Sequence, residues 1–378
     1  MTSTPLTKKD SEPSQAFATG RNRSVDALKG FLIILVILGH AGTAAFFPGL
    51  EATWQFHLIG RVISFFDIYY YHMPLFLAVG VFFLRPISLR DLRKMVLTIL
   101  LPYAIWYVIW SIGKLHGEFF RELPTEFVAL LMGNFTFLLT PLWFFPALFS
   151  LKVTFAALLK LWNVSSTKQI LWAAVLLSAW VIYFLATPAI AYWHVAGYVP
   201  FGIDISLYLL PYCVVMLLIY RKCGALPYAI LVASGLLVAG HFLIVGFEPM
   251  KTISKNWALI DLAQYAMPYT VPGLIGMTAL SAGVLILALN LNPASHLIRV
   301  LSFIGRYTLA IYVFHLFIMH VMDKIGRKGL AEIHLAQSGY ASAALFMMAV
   351  ICAIAVPIVI SKLAMRISPR FSYAGFTA

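Results

Sequence analysis

The stretch of residues 23–47 constrains the fold of this chain more than any other. From Gly30 to Phe47 it carries a single ionisable side chain, His40. A run of this length is typical of a transmembrane helix, because about 20 mostly apolar residues are needed to cross a hydrocarbon core of ~30 Å. An ionisable side chain inside such a helix is expensive in lipid and therefore points to a function.

Helical geometry places Lys29 and His40 on one face of this helix. Their separation of eleven residues makes about three turns and a rise of ~16 Å. We therefore expect a cation at the membrane edge and an imidazole about halfway across. A neutral imidazole in a dry bundle can act as a general base toward a hydroxyl. The structural alternatives are a lysine that reaches the interface and a histidine hydrogen-bonded within the bundle.

Asp26 precedes Lys29 by three residues and lies on adjacent helix surface. Its carboxylate can pair with Lys29 or with Arg23, or it can stabilise the helix N-terminus as an anion. We therefore include Asp26 with Lys29 and His40 as a candidate catalytic group, with a purely structural role as the alternative.

The composition is that of an integral membrane protein. Hydrophobic residues make up 62% of the chain and charged residues 11%, and the mean hydropathy is +0.90, whereas soluble domains are about half apolar and a quarter charged. The net charge of +13 comes from cations at the ends of apolar runs, which argues for membrane topology and against nucleic acid as a partner. Cys213, Cys223 and Cys352 lack metal-ligand spacing, so we expect neither a disulfide framework nor a metal site.

The hydropathy pattern predicts an all-α, polytopic membrane bundle of about ten transmembrane helices. We expect a disordered cytoplasmic tail at residues 1–22, one membrane-bound domain at 23–365 and a cytoplasmic C-terminal tail at 366–378. Of the 27 Lys and Arg residues, 18 fall on the side of the N-terminus and 8 on the other, and Lys152 falls within a predicted span. This distribution places both termini in the cytoplasm. The predicted spans are 28–47, 62–84, 95–113, 142–161, 170–187, 203–220, 226–246, 270–290, 301–321 and 340–361. A shorter apolar piece at 127–140 is predicted to be interfacial or re-entrant.

Two arginines precede the third predicted span on the cytoplasmic side. Arg90 and Arg93 are three residues apart and share a face if this segment is helical. Two guanidinium groups on one face suit phosphate oxygens. Ordinary positive-inside charge explains the pair as well.

Candidate residues for a second ligand lie toward the outer side. Asp67 and His72 lie among aromatic residues in the second span, Trp143 opens the fourth span, and His315 lies in the ninth. Aromatic planes in an outer cleft can stack on sugar rings, although interfacial aromatic belts are common in membrane proteins. Each of these side chains is either a packed residue or part of a site.

Together these segments resemble acyltransferase family 3, the membrane O-acyltransferases. SVDALKGFLIILVILGH is similar to the first-helix motif of the family, a basic residue separated by ten residues from a histidine, here Lys29 and His40. The segment 90–93 matches its paired-arginine motif, and YHMPLFLAVG, PLWFF and TLAIYVFH have family counterparts. Val79 departs from the serine that often precedes the glycine of the second-helix motif. The chain is most similar to the fucose 4-O-acetylase-like enzymes and the exopolysaccharide O-acetyltransferases, such as those of xanthan assembly.

The resemblance implies that an acetyl group passes from acetyl-CoA to a sugar hydroxyl in the bacterial inner membrane. It implies that His40 is the general base, that Lys29, Arg90 and Arg93 bind the phosphates of the donor, and that no cofactor is bound permanently. The implied partners are acetyl-CoA, a saccharide acceptor, free or lipid-linked, and the lipid bilayer. Two other classes stay open: a proton-coupled transporter that uses buried His and Asp residues, and a non-catalytic scaffold of polysaccharide assembly.

Overall fold

The computed structural model describes most of the 378-residue chain, and every element in the described part is helical. The fold class predicted from the sequence, an all-α polytopic bundle, is therefore confirmed. Within the described residues, six stretches are long and apolar enough to cross a membrane: Leu89–Ile112, Ile205–Lys222, Ala229–Gly246, Val271–Asn290, Thr308–Gly326 and Ala343–Ile367. The described residues are 22–41, 68–84, 88–115, 127, 140–162, 201, 203–224, 226–247, 271–332 and 339–374.

Eleven α-helices occur within these ranges. A π-helical segment, Val96–Leu100, joins the third to the fourth, and 3-10 turns at Thr140–Trp143 and Pro369–Ala374 precede the fifth and follow the eleventh. The helices are α1 (Arg23–Ala41), α2 (Ile68–Val79), α3 (Leu89–Met95), α4 (Leu101–Leu115), α5 (Phe144–Trp162), α6 (Ile203–Lys222), α7 (Ala229–Phe247), α8 (Val271–Asn290), α9 (His296–Gly305), α10 (Thr308–Glu332) and α11 (Gly339–Ile367).

Two predicted spans begin at other residues in the structure. The predicted span at 95–113 starts earlier, at Leu89, because Ser88 and Asp91 form a capping box at the start of α3. The start of the predicted span at 301–321 is wrong, because the chain breaks between α9 and α10. The predicted span at 170–187, residues 1–21 of the predicted tail and nearly all of the piece at 127–140 lie outside the described residues.

Helix α1 lies at the centre of the bundle. It packs against α2, α8, α9, α10 and α11, and Leu32, Ile33 and Ile37 are fully buried. Burial of this kind is expected of a helix whose side chains are enclosed by neighbouring helices rather than by lipid. A functional group on α1 is consequently held by several helices at once.

The contact between α1 and α9 is a direct backbone approach. A Cβ atom on Gly30 would overlap the carbonyl oxygen of Leu301, and one on Gly305 would overlap the carbonyl oxygen of Asp26. Small residues at helix crossings allow this approach in membrane proteins. The chain then turns at Arg306 and enters α10, so the predicted span at 301–321 contains parts of two helices.

Helix α7 is peripheral and contrasts with α1. It packs against α8, where Gly240 and Gly276 face each other at the crossing. On its other side, Ile230, Leu231 and Phe242 are about 70% exposed. Large apolar side chains with so high an exposed fraction are expected where a helix faces lipid.

Polar contacts tie several helix ends together at one end of the bundle. The Asn22 side chain accepts hydrogen bonds from the backbone N–H groups of Ser24 and Val25 and so caps α1. Its amide also donates to the Tyr220 hydroxyl at 3.3 Å, and the Phe82 ring stacks on Tyr220 with centroids 4.7 Å apart. We call this end, where α1 begins and α2 and α6 end, the basic end.

Candidate active site

The first element of the site is a pair of histidines inside the bundle. His40 lies in the last turn of α1 and is partly buried, whereas His315 on α10 is fully buried. The centroids of the two rings are 5.3 Å apart, and the ring planes are tilted by 40°. The His40 ring therefore faces a neighbouring helix, as a site residue must, and the sequence alone could not show that His315 is its neighbour.

The hydrogen bonding of His315 fixes its tautomer when the ring is neutral. Its Nδ1 lies 2.6 Å from the backbone carbonyl oxygen of Tyr312, and a carbonyl only accepts, so Nδ1 carries the hydrogen. The Nε2 atom is buried without a hydrogen-bond partner among the described residues. A neutral His315 thus presents a lone pair inside the bundle. Such a buried acceptor is unfavourable unless a ligand or another group satisfies it.

Aromatic rings form a continuous wall beside the histidine pair. The ring of Tyr312 lies 5.8 Å from that of His315 and 5.1 Å from that of Phe144 on α5. Phe144 in turn contacts Phe76 on α2 edge-on at 5.2 Å, and Tyr312 contacts Phe145 at 6.0 Å. The wall spans three helices and excludes water from one side of the site.

Two of the candidates for the second ligand lie close to this wall. Trp143 is buried at the end of the 3-10 turn before α5, with its ring 6.4 Å from that of Phe144. His72 is buried on α2, one helical turn before Phe76 and on the same helix face. The structure therefore brings Trp143, His72 and His315 to one region of the bundle. Asp67 lies outside the described residues.

An ion pair lies toward the basic end on the same face of α1. The ammonium of Lys29 is 3.7 Å from the carboxylate of Asp26, and the Lys29 side chain remains 30% exposed. The structure shows the pairing of Asp26 with Lys29, one of the arrangements that the sequence left open. The rise from Lys29 to His40 is ~16 Å along the helix.

A third charged residue, Lys152 on α5, joins this region. It is partly buried, and its Cε atom lies 3.7 Å from the position of a Cβ on Gly80, just beyond the end of α2, the helix that packs against α1. The sequence showed only that this lysine falls within a span. Its position beside Gly80 depends on how α5 is rotated against α2, which local sequence patterns do not encode.

Arg90 and Arg93 lie on α3 and are exposed. The segment is helical, so the two guanidinium groups point in similar directions, as their spacing requires. The structure places them on a different helix from Lys29, outside the buried part of the site. They are accessible to a charged ligand that approaches from solvent.

The opposite face of α1 lines a separate cavity of about 730 Å³. Ala27, Leu28 and Phe31 contribute that face, and helices α7, α8 and α9 form the other walls. Its lining is apolar apart from a few groups, among them Ser234 and His241. This cavity is therefore distinct in chemistry and position from the face that carries Lys29 and His40.

Comparison with known proteins identifies the family of the chain. The family model described as "Acyltransferase domain", acyltransferase family 3, matches residues 22–362. The chain belongs to acyltransferase family 3. The family resemblance seen in the sequence motifs is thereby confirmed.

Similarity to individual members of the family is partial. A segment of 152 residues is 30% identical to "Nodulation protein NolL" of Sinorhizobium fredii and covers 38% of each chain. A segment of 103 residues is 32% identical to "Nodulation protein NolL" of Mesorhizobium japonicum and covers 26% of each chain. The chain thus spans well under half the length of these relatives. No solved structure matches the chain.

Within the described part of this family member, no group of three or more His, Cys, Asp and Glu side chains is arranged to hold a metal ion. The acidic and imidazole groups of the site are instead distributed in pairs, Asp26 with Lys29 and His40 with His315.

Proposed function

We propose that this membrane acyltransferase moves an acetyl group from acetyl-CoA to a sugar hydroxyl of an exopolysaccharide or of its lipid-linked precursor. Membership of acyltransferase family 3 supports acyl transfer. The observation that carries the proposal is the pair of imidazoles 5.3 Å apart inside the bundle. One of them, His40, lies on the face of α1 that also holds Lys29. This face of α1 therefore offers a base, His40, inside the bundle and a cation, Lys29, nearer the basic end for a phosphorylated donor.

In the proposed reaction His40 is the general base. The sugar oxygen attacks the thioester carbonyl carbon while His40 takes the hydroxyl proton. The bond between carbon and sulfur then breaks, and the departing thiolate of CoA receives the proton from His40. One acetyl ester and one free thiol are formed for each thioester consumed, and no further reactant is needed.

The acceptor side of the proposed site is formed by polar and aromatic groups beyond His40. The Nε2 lone pair of His315 accepts a hydrogen bond from the sugar. Trp143 and the adjoining aromatic wall provide flat apolar surfaces for the sugar ring. His72 lies on the same side, and Asp67 remains a sequence prediction for this role.

The donor side is formed by cations toward the basic end. Lys29, held by Asp26, binds a phosphate of the donor, and Arg90 and Arg93 bind further phosphate oxygens from the exposed end of α3. The pantetheine arm of CoA spans on the order of 15–20 Å, which matches the ~16 Å rise between Lys29 and His40. The donor binds and leaves in each cycle.

The proposed setting is the bacterial inner membrane with both termini in the cytoplasm. The distribution of Lys and Arg along the chain supports this orientation. In this orientation the basic end, where α1 begins, faces the compartment in which acetyl-CoA is made. The donor therefore meets Lys29 before its thioester reaches His40.

The test is a transfer assay on the purified protein in lipid nanodiscs. Acetyl-CoA carrying a radiolabelled acetyl group is mixed with polysaccharide, or its lipid-linked precursor, extracted from a strain that lacks this gene. We expect label in the saccharide and one free thiol released for each acetyl group transferred. Mass spectrometry of surface polysaccharide with and without the gene locates the modified sugar.

Two results would contradict the proposal. One is a failure of the protein to consume the thioester in the presence of any saccharide fraction from the deletion strain. The other is transport of a substrate driven by a pH gradient without release of CoA thiol, which is the behaviour of a proton-coupled transporter.

A further inference from the structure

We propose that Lys152 is a second cation of the donor-binding site and that, together with Lys29, it binds the diphosphate of acyl-CoA. The inference rests on the proposed function and extends it to a residue on a different helix. It is argued from the position of Lys152 in the bundle, from the charges around it and from the chemistry of the donor.

Lys152 lies at the same depth as Lys29. Helices α2 and α5 run parallel at their contact. Phe76 of α2 contacts Phe144 of α5. One turn further along both segments, Gly80, just beyond the end of α2, lies against Leu148 and Lys152 of α5. Lys152 is eight residues beyond Phe144, a rise of ~12 Å from the aromatic wall toward the basic end. Lys29 is ~16 Å from His40 in the same direction. Helix α2 packs against both α1 and α5, so the two lysines lie at a similar depth on the two helices that flank it.

The position of Lys152 differs from that of an interfacial lysine. Helix α5 continues for ten residues after Lys152, to Trp162, a further rise of ~15 Å. A lysine side chain reaches only ~6 Å and so does not bring its ammonium to that helix end. Its Cε atom lies beside Gly80, where the missing side chain allows Leu148 and the Lys152 stem to pack closely against the end of α2.

The two lysines leave an excess of positive charge. Lys29 has the carboxylate of Asp26 at 3.7 Å, whereas no carboxylate among the described residues forms an ion pair with Lys152. Two ammonium groups close together within a membrane bundle repel each other, and burial away from water increases that repulsion. An anion bound between them relieves it, which is the behaviour expected of a substrate site rather than of a structural ion pair.

A diphosphate has the chemistry that this pair of cations requires. It carries two adjacent negative groups, and lysine binds phosphate as a compact point charge. In acyl-CoA the diphosphate joins the pantetheine arm to the nucleotide, so its depth is fixed once the thioester lies at His40. The exposed Arg90 and Arg93 are then left for the 3′-phosphate of the nucleotide, nearer to solvent.

The experiment compares ligands that differ by single phosphate groups. Binding of CoA, and of dephospho-CoA, which keeps the diphosphate and lacks the 3′-phosphate, is measured calorimetrically on the protein in nanodiscs. The variants are Lys152→Met, which keeps an apolar stem of similar length, and Lys152→Arg, which keeps the charge. Lys362→Met is the matched control, because Lys362 is a lysine of α11 that lies over the Phe303 ring at 4.9 Å, outside the site.

We expect Lys152→Met to weaken the binding of CoA and of dephospho-CoA equally, by about ten- to a hundredfold, the range for losing a hydrogen bond to a charged group. Lys152→Arg should stay within a few fold of wild type, and Lys362→Met should be unchanged. The inference would be overturned if Lys152→Met and the wild type bound both ligands with equal affinity. It would also be overturned if only the affinity for CoA fell, because that result would assign Lys152 to the 3′-phosphate.

A diphosphate can also come from a lipid-linked acceptor, so farnesyl diphosphate is titrated as a third ligand. If Lys152→Met weakens the binding of farnesyl diphosphate and leaves that of CoA intact, the donor assignment is wrong. If the wild-type protein does not bind CoA, both the proposed donor and the role of Lys152 are overturned. If the wild-type protein binds CoA and Lys152→Met binds it equally well, only the role of Lys152 is overturned.

Discussion

The two faces of α1 have opposite chemistry although they belong to one helix. One face carries Lys29 and His40 and meets charged, histidine and aromatic side chains of other helices. The other, with Leu28 and Phe31, lines an apolar cavity of about 730 Å³. In the proposed function the polar face supplies the chemistry, whereas the apolar face contributes to packing. Substitutions on the two faces should therefore separate activity from stability.

The largest expected effect is on the polar face. His40→Ala removes the proposed base, and proton transfer of this kind contributes about 10²–10⁴-fold to a rate. We expect kcat to fall by about that factor while the amount of folded protein stays normal, as measured by the transfer assay and by size-exclusion chromatography.

The matched control for this variant is His241→Ala, which removes a histidine from the wall of the apolar cavity on the far side of α1. It should keep kcat close to that of the wild type. Equal losses in the two variants would mean that the faces of α1 do not differ in function.

Substitutions on the apolar face of α1 should lower the stability of the protein rather than its activity. Leu28 is buried, and truncating a buried leucine to alanine in a protein core lowers stability by about 2–5 kcal/mol. We expect Leu28→Ala to lower the thermal unfolding temperature in detergent, with kcat per folded molecule unchanged. A variant with normal stability and a large loss of kcat would contradict the assignment of this face to packing.

The smallest expected effect comes from the exposed rim of the donor site. Arg93→Ala removes one exposed guanidinium group, so we expect KM for acetyl-CoA to rise about three- to tenfold with little change in kcat. Lys94→Ala, one residue away and also exposed, is the control in the same kinetic assay. Unchanged KM in Arg93→Ala would remove this residue from phosphate binding.

Features set by helical period could be predicted from the sequence. The spacing of Lys29 and His40 places them on one face of any α-helix, and the same geometry brings Asp26 next to Lys29. The long apolar runs likewise predicted the all-α membrane bundle. These predictions need only the local geometry of a helix, which a sequence pattern contains.

Features set by the packing of distant helices could not be predicted. The contact between His40 and His315 joins residues on α1 and α10, and the proximity of Lys152 to Lys29 joins α5 and α1. The break before α10 follows from the close approach of Gly305 to the backbone of α1, which hydropathy does not register. Asp67 stays a prediction.

The central claim is that an imidazole at position 40 accepts the proton of the attacking hydroxyl, and chemical rescue tests it most directly. The variant His40→Gly is assayed for acetyl transfer in nanodiscs with increasing concentrations of free imidazole. We predict a low basal rate that rises with imidazole concentration and rises further with more basic imidazole derivatives, because the added base replaces the missing ring. A wild-type rate of acetyl transfer by His40→Gly without any added base would contradict the claim.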